Sequence, residues 1–116
     1  GNVQVRLSRR GAGENIHVSP LLHRATCPPG GVEVRVRAVG LNFRDVLNVL
    51  GLYPGDPGPP GSDFAGVVSA VGEGVEGIAV GQGVCGIAVG VLASYVLADP
   101  RLLAPIPSGL SFEDAA

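Results

Sequence analysis

Hydrophobic and polar residues alternate along several short stretches of the chain, a period that is typical of half-buried β-strands. The clearest stretch is VEVRVRAV, residues 32–39, in which small apolar residues alternate with Glu33, Arg35 and Arg37. Because successive side chains of a strand point to opposite faces, these three charged residues are predicted to face solvent. Further strands are predicted at residues 3–7, 16–22, 64–71, 84–89, 93–99 and 101–107.

One stretch follows a helical period instead. Between residues 43 and 50 the apolar residues recur at i, i+3, i+4 and i+7, with Asn42 well placed as N-cap and Gly51 as the residue that ends the helix. A second helix is predicted to begin at Ser111, because a hydroxyl N-cap followed by acidic residues is typical of a helix start. The apolar face of the first helix is predicted to pack into the core through Phe43, Val46, Leu47 and Leu50.

A glycine-rich turn, GEGVEG at residues 72–77, matches the dinucleotide-binding spacing G-x-G-x-x-G. That spacing binds a pyrophosphate only where a helix follows, because the helix N-terminus supplies the amide groups that face the phosphates. Here the glycine-containing stretch IAVGQGV follows, and Glu73 and Glu76 would place negative charge beside the phosphates. The turn is therefore interpreted as a simple connection between two strands.

The composition indicates one globular domain, since 116 residues with 46% hydrophobic residues are enough to form a core. The formal net charge of −2 gives no electrostatic reason to expect a nucleic acid or an anionic membrane as partner. No apolar run approaches the roughly 20 residues that span a bilayer, so a cytoplasmic protein is expected. Cys27 and Cys85 are too isolated to signal a zinc site or a disulfide framework, and His17 and His23 are expected at the surface.

Three longer motifs carry a resemblance. The segments GLNFRDVLNVLGLYPG (40–55), GSDFAGVVSAVGEGV (61–75) and LLAPIPSGLSFEDAA (102–116) together resemble the medium-chain dehydrogenase/reductase superfamily, and more narrowly the enoylreductase domain of type I polyketide synthases. The similarity is strongest over residues 32–116. In that family a GroES-like β-barrel precedes a Rossmann domain that holds NADPH. The resemblance implies a mainly β fold for residues 1–116, a GroES-like barrel with one or two short helices, and no Rossmann domain in this chain.

The resemblance also implies an activity for the parent protein. The family's enoylreductases use NADPH to reduce the α,β-double bond of an enoyl thioester carried on an acyl carrier protein. The expected partners are therefore that thioester, a Rossmann subdomain and neighbouring synthase domains, and the 116-residue chain alone is expected to be inactive. Two alternatives remain open: the N-terminal domain of a zinc-independent quinone oxidoreductase, and a non-catalytic barrel used as a scaffold or dimerisation module.

The motif positions that hold zinc in other branches of the superfamily have different residues in this chain. Zinc enzymes have a cysteine at the position of Asn42 and Gly-His-Glu at the positions of Gly61, Ser62 and Asp63. A catalytic zinc needs about three protein ligands of the Cys, His or carboxylate type, which Asn42 and Ser62 do not provide. The chain is therefore expected to belong to the zinc-independent branch, with no metal.

Tyr53 is the residue predicted to be catalytic. Addition of hydride to Cβ of an enoyl thioester leaves an enolate that must gain a proton at Cα, and a protonated phenol can deliver it as a general acid. The resemblance implies this role, because Tyr53 matches the family's loop tyrosine, a proposed proton donor or stereochemical gate. The alternative is an aromatic ring of the loop that packs over the helix.

Three residues beside Tyr53 complete the predicted site. The resemblance places Asn42 near the nicotinamide end of the cofactor, although its role as N-cap already explains the residue. Asn42 and Asp45 are three residues apart and are predicted to share one helix face. Arg44 and Asp45 are candidates for lining the substrate cleft, with charge contacts to solvent or to other elements as the simpler interpretation.

Overall fold

The computed structural model describes residues 1–21 and 27–116, so His23 lies outside the described part of the chain. The described residues form seven β-strands and two α-helices, which confirms the mainly β prediction. The proline-rich loop, residues 51–62, connects the first helix to the fourth strand. In chain order the elements are β1 (Val3–Leu7), β2 (Ile16–Pro20), β3 (Val32–Gly40), α1 (Phe43–Leu50), β4 (Asp63–Val71), β5 (Gly83–Ile87), β6 (Tyr95–Ala98), β7 (Leu103–Pro105) and α2 (Phe112–Ala115).

The strands form two antiparallel sheets. β1 and β2 make a hairpin, and the other five strands form one sheet in the order β6-β3-β4-β5-β7. The main chain joins the two sheets, because the Val5 N–H donates to the Leu92 carbonyl at 2.7 Å and the Ser94 N–H donates to the Val3 carbonyl at 2.8 Å. The hairpin is thereby attached to the segment that leads into β6.

The core consists of small apolar side chains around one aromatic ring. Phe64 on β4 is fully buried. Short β-branched side chains pack closely on a pleated sheet, and they surround this ring. The other buried members of the cluster are Val32, Val34, Val68, Val84, Val91, Val96 and Ala98.

The prediction for β3 is wrong at Glu33. Arg35 and Arg37 are exposed as expected, but Glu33 is only 8% exposed and lies between two buried valines. A register shift between Glu33 and Val34 in the pairing with β4 interrupts the regular alternation of faces. The Glu33 carboxylate accepts a hydrogen bond from the Ser69 hydroxyl at 2.8 Å, which compensates part of the cost of its burial.

The orientation predicted for α1 is also wrong, although its boundaries are as predicted. Three of the four apolar residues expected in the core are exposed instead: Phe43 by 74%, Val46 by 49% and Leu50 by 40%. The residues that α1 buries are Asp45 and Asn48. The helix packs this polar stripe against the proline-rich loop, because the main-chain N–H and C=O groups of that irregular loop need hydrogen-bond partners.

The glycine-rich turn is a connection between strands, as predicted. Residues 72–82 join β4 to β5 through turns and irregular backbone, and no helix occurs within this range. Gly74 and Gly77 have φ angles of 85° and 78°, in the left-handed region that glycine adopts readily. The Ala79 N–H donates to Gln82 Oε1 at 3.2 Å and closes the end of the connection.

The second helix begins as predicted. The Ser111 hydroxyl accepts a hydrogen bond from the Asp114 N–H at 3.1 Å, so Ser111 is the N-cap of α2. The Arg37 guanidinium lies 5.0 Å from the centroid of the Phe112 ring. The contact between Arg37 and Phe112 holds α2 against β3.

Candidate active site

The N-terminus of α1 is joined to the start of β4 through Asn42. Asn42 and Asp45 form a capping box, in which the Asn42 N–H donates to Asp45 Oδ2 at 3.0 Å and the Asn42 side chain faces the Asp45 N–H. The Asn42 side-chain amide also donates to the Asp63 carboxylate. The N-cap role and the shared helix face are confirmed, whereas the cofactor role of Asn42 stays a prediction.

Asp45 binds main-chain groups on two sides. Its Oδ2 accepts from the Asn42 N–H, and its Oδ1 accepts from the Gly61 N–H at 2.8 Å. The side chain is 8% exposed, so it lies beneath the surface of α1 rather than in open solvent. The carboxylate ties the helix to the end of the proline-rich loop, and its place in a substrate cleft stays a prediction.

Tyr53 is folded back along α1. The helix ends at Gly51, which has a left-handed backbone with φ of 73°, and the N–H groups of Leu52 and Tyr53 both donate to the Leu47 carbonyl, at 2.8 and 3.3 Å. The Tyr53 side chain is half-buried, and the Arg44 guanidinium lies 5.2 Å from the centroid of its ring. The structure therefore brings together two of the predicted site residues, Tyr53 and Arg44, beside the first turn of the helix.

The Arg44–Tyr53 contact is a cation–π interaction. Such contacts contribute about 0.5–1 kcal/mol at exposed sites, enough to favour one ring position without locking it. Within the described residues no carboxylate lies within ion-pair distance of Arg44. Its guanidinium contacts the face of the ring of Tyr53, the residue predicted to be the proton donor.

Sequence reasoning missed a second group of polar residues, the polar clamp formed by Arg10, Asn48 and Gly58. The Asn48 side-chain amide donates to the Gly58 carbonyl at 2.9 Å, and its Oδ1 accepts from Arg10 Nε at 2.8 Å. Arg10 also donates to the Gly58 carbonyl, at 2.9 Å. The available signal was the spacing of Asp45 and Asn48, three residues apart on the helix, which makes a polar stripe as regular as the apolar one.

An apolar groove runs beside α1. It has a volume of about 400 Å³, with Asn42 and Asp45 at its edge. Its walls are made almost entirely of hydrocarbon side chains, which suit an apolar ligand better than a charged one. The main apolar lining residues are Val46, Val49, Leu50, Pro60 and Leu92.

The described residues contain no group of three or more His, Cys, Asp or Glu side chains that could hold a metal ion. Cys27 and Cys85 are free thiols. Asn42 and Asp63 stand at motif positions that hold zinc in other branches of the superfamily. In this chain a direct hydrogen bond from the Asn42 side-chain amide to the Asp63 carboxylate connects them. In the same described part of the chain, no helix is both long and apolar enough to cross a membrane.

Comparison with known proteins identifies the family of this fold. Residues 28–108 match the alcohol dehydrogenase GroES-like domain. Pikromycin polyketide synthase component PikAII of Streptomyces venezuelae is 46% identical over 88 residues, which are 76% of this chain and 2% of that protein. The chain thus spans a small part of this large relative.

Solved structures contain the fold of nearly the whole of this chain as one part of a longer chain. The CurK enoyl reductase superposes with a TM-score of 0.89 at 36% identity, over 98% of this chain and 38% of that one. The Escherichia coli quinone oxidoreductase, solved in complex with NADPH, superposes with a TM-score of 0.85 at 30% identity, over 97% of this chain and 36% of that one. The chain therefore belongs to the alcohol dehydrogenase GroES-like domain family of the medium-chain dehydrogenase/reductase superfamily, as its motifs predicted.

Proposed function

We propose that the chain is the substrate side of an NADPH-dependent enoyl reductase domain in a polyketide synthase. The observation that carries this proposal is the half-buried phenol of Tyr53, held against Arg44 on a fold similar to that of the CurK enoyl reductase. The similarity to a polyketide synthase component supports it. The substrate class is an α,β-unsaturated acyl thioester on an acyl carrier protein, and the partners are the remainder of the reductase and the neighbouring synthase domains.

The chemistry assigned to this chain is delivery of a proton. NADPH, when bound, supplies the hydride that adds to Cβ of the substrate. The π electrons of the double bond then move toward the thioester as an enolate, and the Tyr53 phenol gives its proton to Cα. The resulting phenolate recovers a proton from water. Arg44, with its guanidinium over the ring, helps to hold the Tyr53 ring in position.

The described residues offer a hydrogen-bonding group for the nicotinamide end of NADPH but no site for its pyrophosphate. The turn at 72–77 has no helix after it, so it offers no aligned amide groups to a pyrophosphate. Asn42 is exposed at the N-terminus of α1, where a carboxamide can hydrogen-bond to the amide of a nicotinamide. The proposal therefore assigns the phosphates to the part of the reductase outside this chain.

Replacement of Tyr53 tests the proposal. In the reductase domain that contains this sequence, Tyr53→Phe is expected to lower kcat for an enoyl thioester by about 100-fold, because it removes the proton donor but keeps the ring. A 2-methyl-enoyl thioester adds a second readout, the configuration of the methyl branch. The matched control is Tyr95→Phe on β6, which changes the chain's other tyrosine and should leave both readouts unchanged. Unaltered rate and configuration in Tyr53→Phe would reduce Tyr53 to a packing residue.

The second candidate function is quinone reduction, favoured by the similarity to the Escherichia coli quinone oxidoreductase. The same domain assayed with NADPH and either an enoyl thioester or a 1,4-benzoquinone separates the two. Preference for the thioester supports the proposal, and preference for the quinone replaces it. Reduction of neither substrate would favour a non-catalytic barrel.

The isolated 116-residue chain is expected to bind NADPH more weakly than about 1 mM, because the turn at 72–77, with no helix after it, offers no aligned amide groups to the phosphates. Isothermal titration of the chain with NADPH measures this directly. The control is the longer reductase domain titrated under the same conditions, which should bind in the micromolar range. Micromolar binding to the 116-residue chain would mean that the turn at 72–77 holds phosphate after all.

A further inference from the structure

We propose that Asn48 is a positioning residue that acts on Tyr53 through the polar clamp. This inference rests on the proposed function, since it assigns Asn48 a part in proton delivery by Tyr53. Asn48 itself does not line the apolar groove. It fixes the loop on which the phenol is carried.

The clamp is buried and its bonds are directional. Asn48 is 2% exposed. Its side-chain NH2 group donates one hydrogen bond, to the Gly58 carbonyl, and its Oδ1 accepts one, from Arg10 Nε. A buried amide that loses a partner costs about 1–3 kcal/mol, so the bond from Asn48 to Gly58 holds the loop to a narrow range of positions. The bond from Arg10 holds the Asn48 side chain in the orientation that makes it. Arg10 comes from the segment after β1, so the clamp joins three separate parts of the chain.

The loop combines four prolines, whose φ angles are fixed, with glycines whose backbone is free to adopt several conformations, and the clamp acts at one of these glycines. Three of its glycines, Gly55, Gly58 and Gly61, have φ angles of 78°, 71° and 93°, and glycine loses more conformational freedom on ordering than any other residue. Tyr53 lies near the start of the loop, five residues before the carbonyl that the clamp holds. Without the clamp, the loop keeps its attachments at Leu47 and at Asp45 but loses those at the Gly58 carbonyl and, through Arg10, at Asp56, with which Arg10 forms an ion pair at 3.5 Å.

The polar character of the buried stripe makes the contact between helix and loop directional. One partner of Asn48 is the main-chain carbonyl of Gly58, which no substitution removes, and a polar side chain at this position satisfies it. α1 buries Asn48 in this contact while it exposes Phe43, Val46 and Leu50. Hydrogen bonds specify one register of helix and loop, whereas apolar contacts tolerate sliding.

The test is a double-mutant cycle in the reductase domain. Asn48→Asp keeps the shape and the acceptor for Arg10 but removes the donor to Gly58. It is expected to lower kcat about 10-fold, because misplacement of a catalytic group by a fraction of an ångström is costly. In the Tyr53→Phe background the same substitution should change kcat by less than about twofold, since the group that it positions is gone.

A second variant covers the case in which Asn48→Asp fails to fold. Arg10 lies at the surface, so Arg10→Ala is expected to fold and to show the same dependence on Tyr53 with a smaller loss of kcat. The control for destabilisation is Ser69→Ala, which removes a hydrogen bond between β4 and Glu33 on β3 and does not touch the clamp. It should lower the Tm and leave kcat unchanged in both backgrounds.

The outcomes separate the inference from the proposed function. If Tyr53→Phe slows reduction but Asn48→Asp and Arg10→Ala have equal effects with and without the phenol, the clamp is structural only and the inference is overturned. If Tyr53→Phe alone leaves kcat and configuration intact, the proposed role of Tyr53 fails first, and the inference falls with it. Loss of kcat only where the phenol is present supports both.

Discussion

Phe64→Ala is expected to lower the free energy of unfolding of the chain by about 3–5 kcal/mol. Phe64 is fully buried and is the only aromatic ring in the cluster of valines and alanine that forms the described core. The cavity left by the ring is not filled by neighbouring side chains, because most of these side chains lie on strands whose positions are held by the sheet. Urea unfolding followed by far-ultraviolet circular dichroism measures the loss, since the chain contains no tryptophan.

The matched control for this prediction is Phe43→Ala. Phe43 is 74% exposed at the start of α1, so the same truncation should change the free energy of unfolding by less than about 0.5 kcal/mol. Both variants lose the same atoms, and only burial differs between them. Equal losses for the two would mean that α1 is turned with its apolar face toward the core, as the sequence pattern had predicted.

Gly86→Ala is expected to destabilise the chain by about 3 kcal/mol or more, or to prevent folding. A Cβ on Gly86 would lie 2.1 Å from the Leu102 carbonyl oxygen, a main-chain atom that cannot turn away. The strand β5 would have to separate from the segment that leads into β7. Yield of folded protein and the urea midpoint measure the effect.

Gly83→Ala, on the same strand, is the control for that prediction. A Cβ there would meet its nearest neighbour, Ile106 Cδ1, at 3.6 Å, which is an ordinary contact. Alanine also restricts the unfolded chain more than glycine does, so the variant should be neutral or slightly more stable. A Gly86→Ala protein as stable as Gly83→Ala would contradict the close approach of β5 to Leu102.

The local elements of this fold were largely predictable. The period of 2 in residues 32–39 and the helical period between 43 and 50 both depend on near neighbours, and the structure has β3 and α1 at these places. The caps Asn42 and Ser111 were predictable for the same reason, because a cap bonds to a residue three positions away. The family motifs, which extend the argument beyond local pattern, led to the correct family.

The site was predictable only in part. Asn42, Arg44, Asp45 and Tyr53 were named from their spacing and from a family resemblance, and the structure brings Tyr53 against Arg44. The part played by Asn48 was not visible, because its partner Gly58 is ten residues away along the chain and Arg10 is 38 residues away. A pairing over such distances leaves no periodic trace in the sequence.

The sequence by itself determined roughly where the strands lie, where both helices begin, where α1 ends, and to which family the chain belongs. These features follow from interactions between near neighbours and from motif order. Only the tertiary structure decided which face of α1 is buried. An amphipathic helix has an apolar and a polar stripe, and either can be covered when a neighbouring segment offers matching groups. Here the proline-rich loop offers a carbonyl at Gly58 and an N–H at Gly61, so the stripe of Asp45 and Asn48 turned inward.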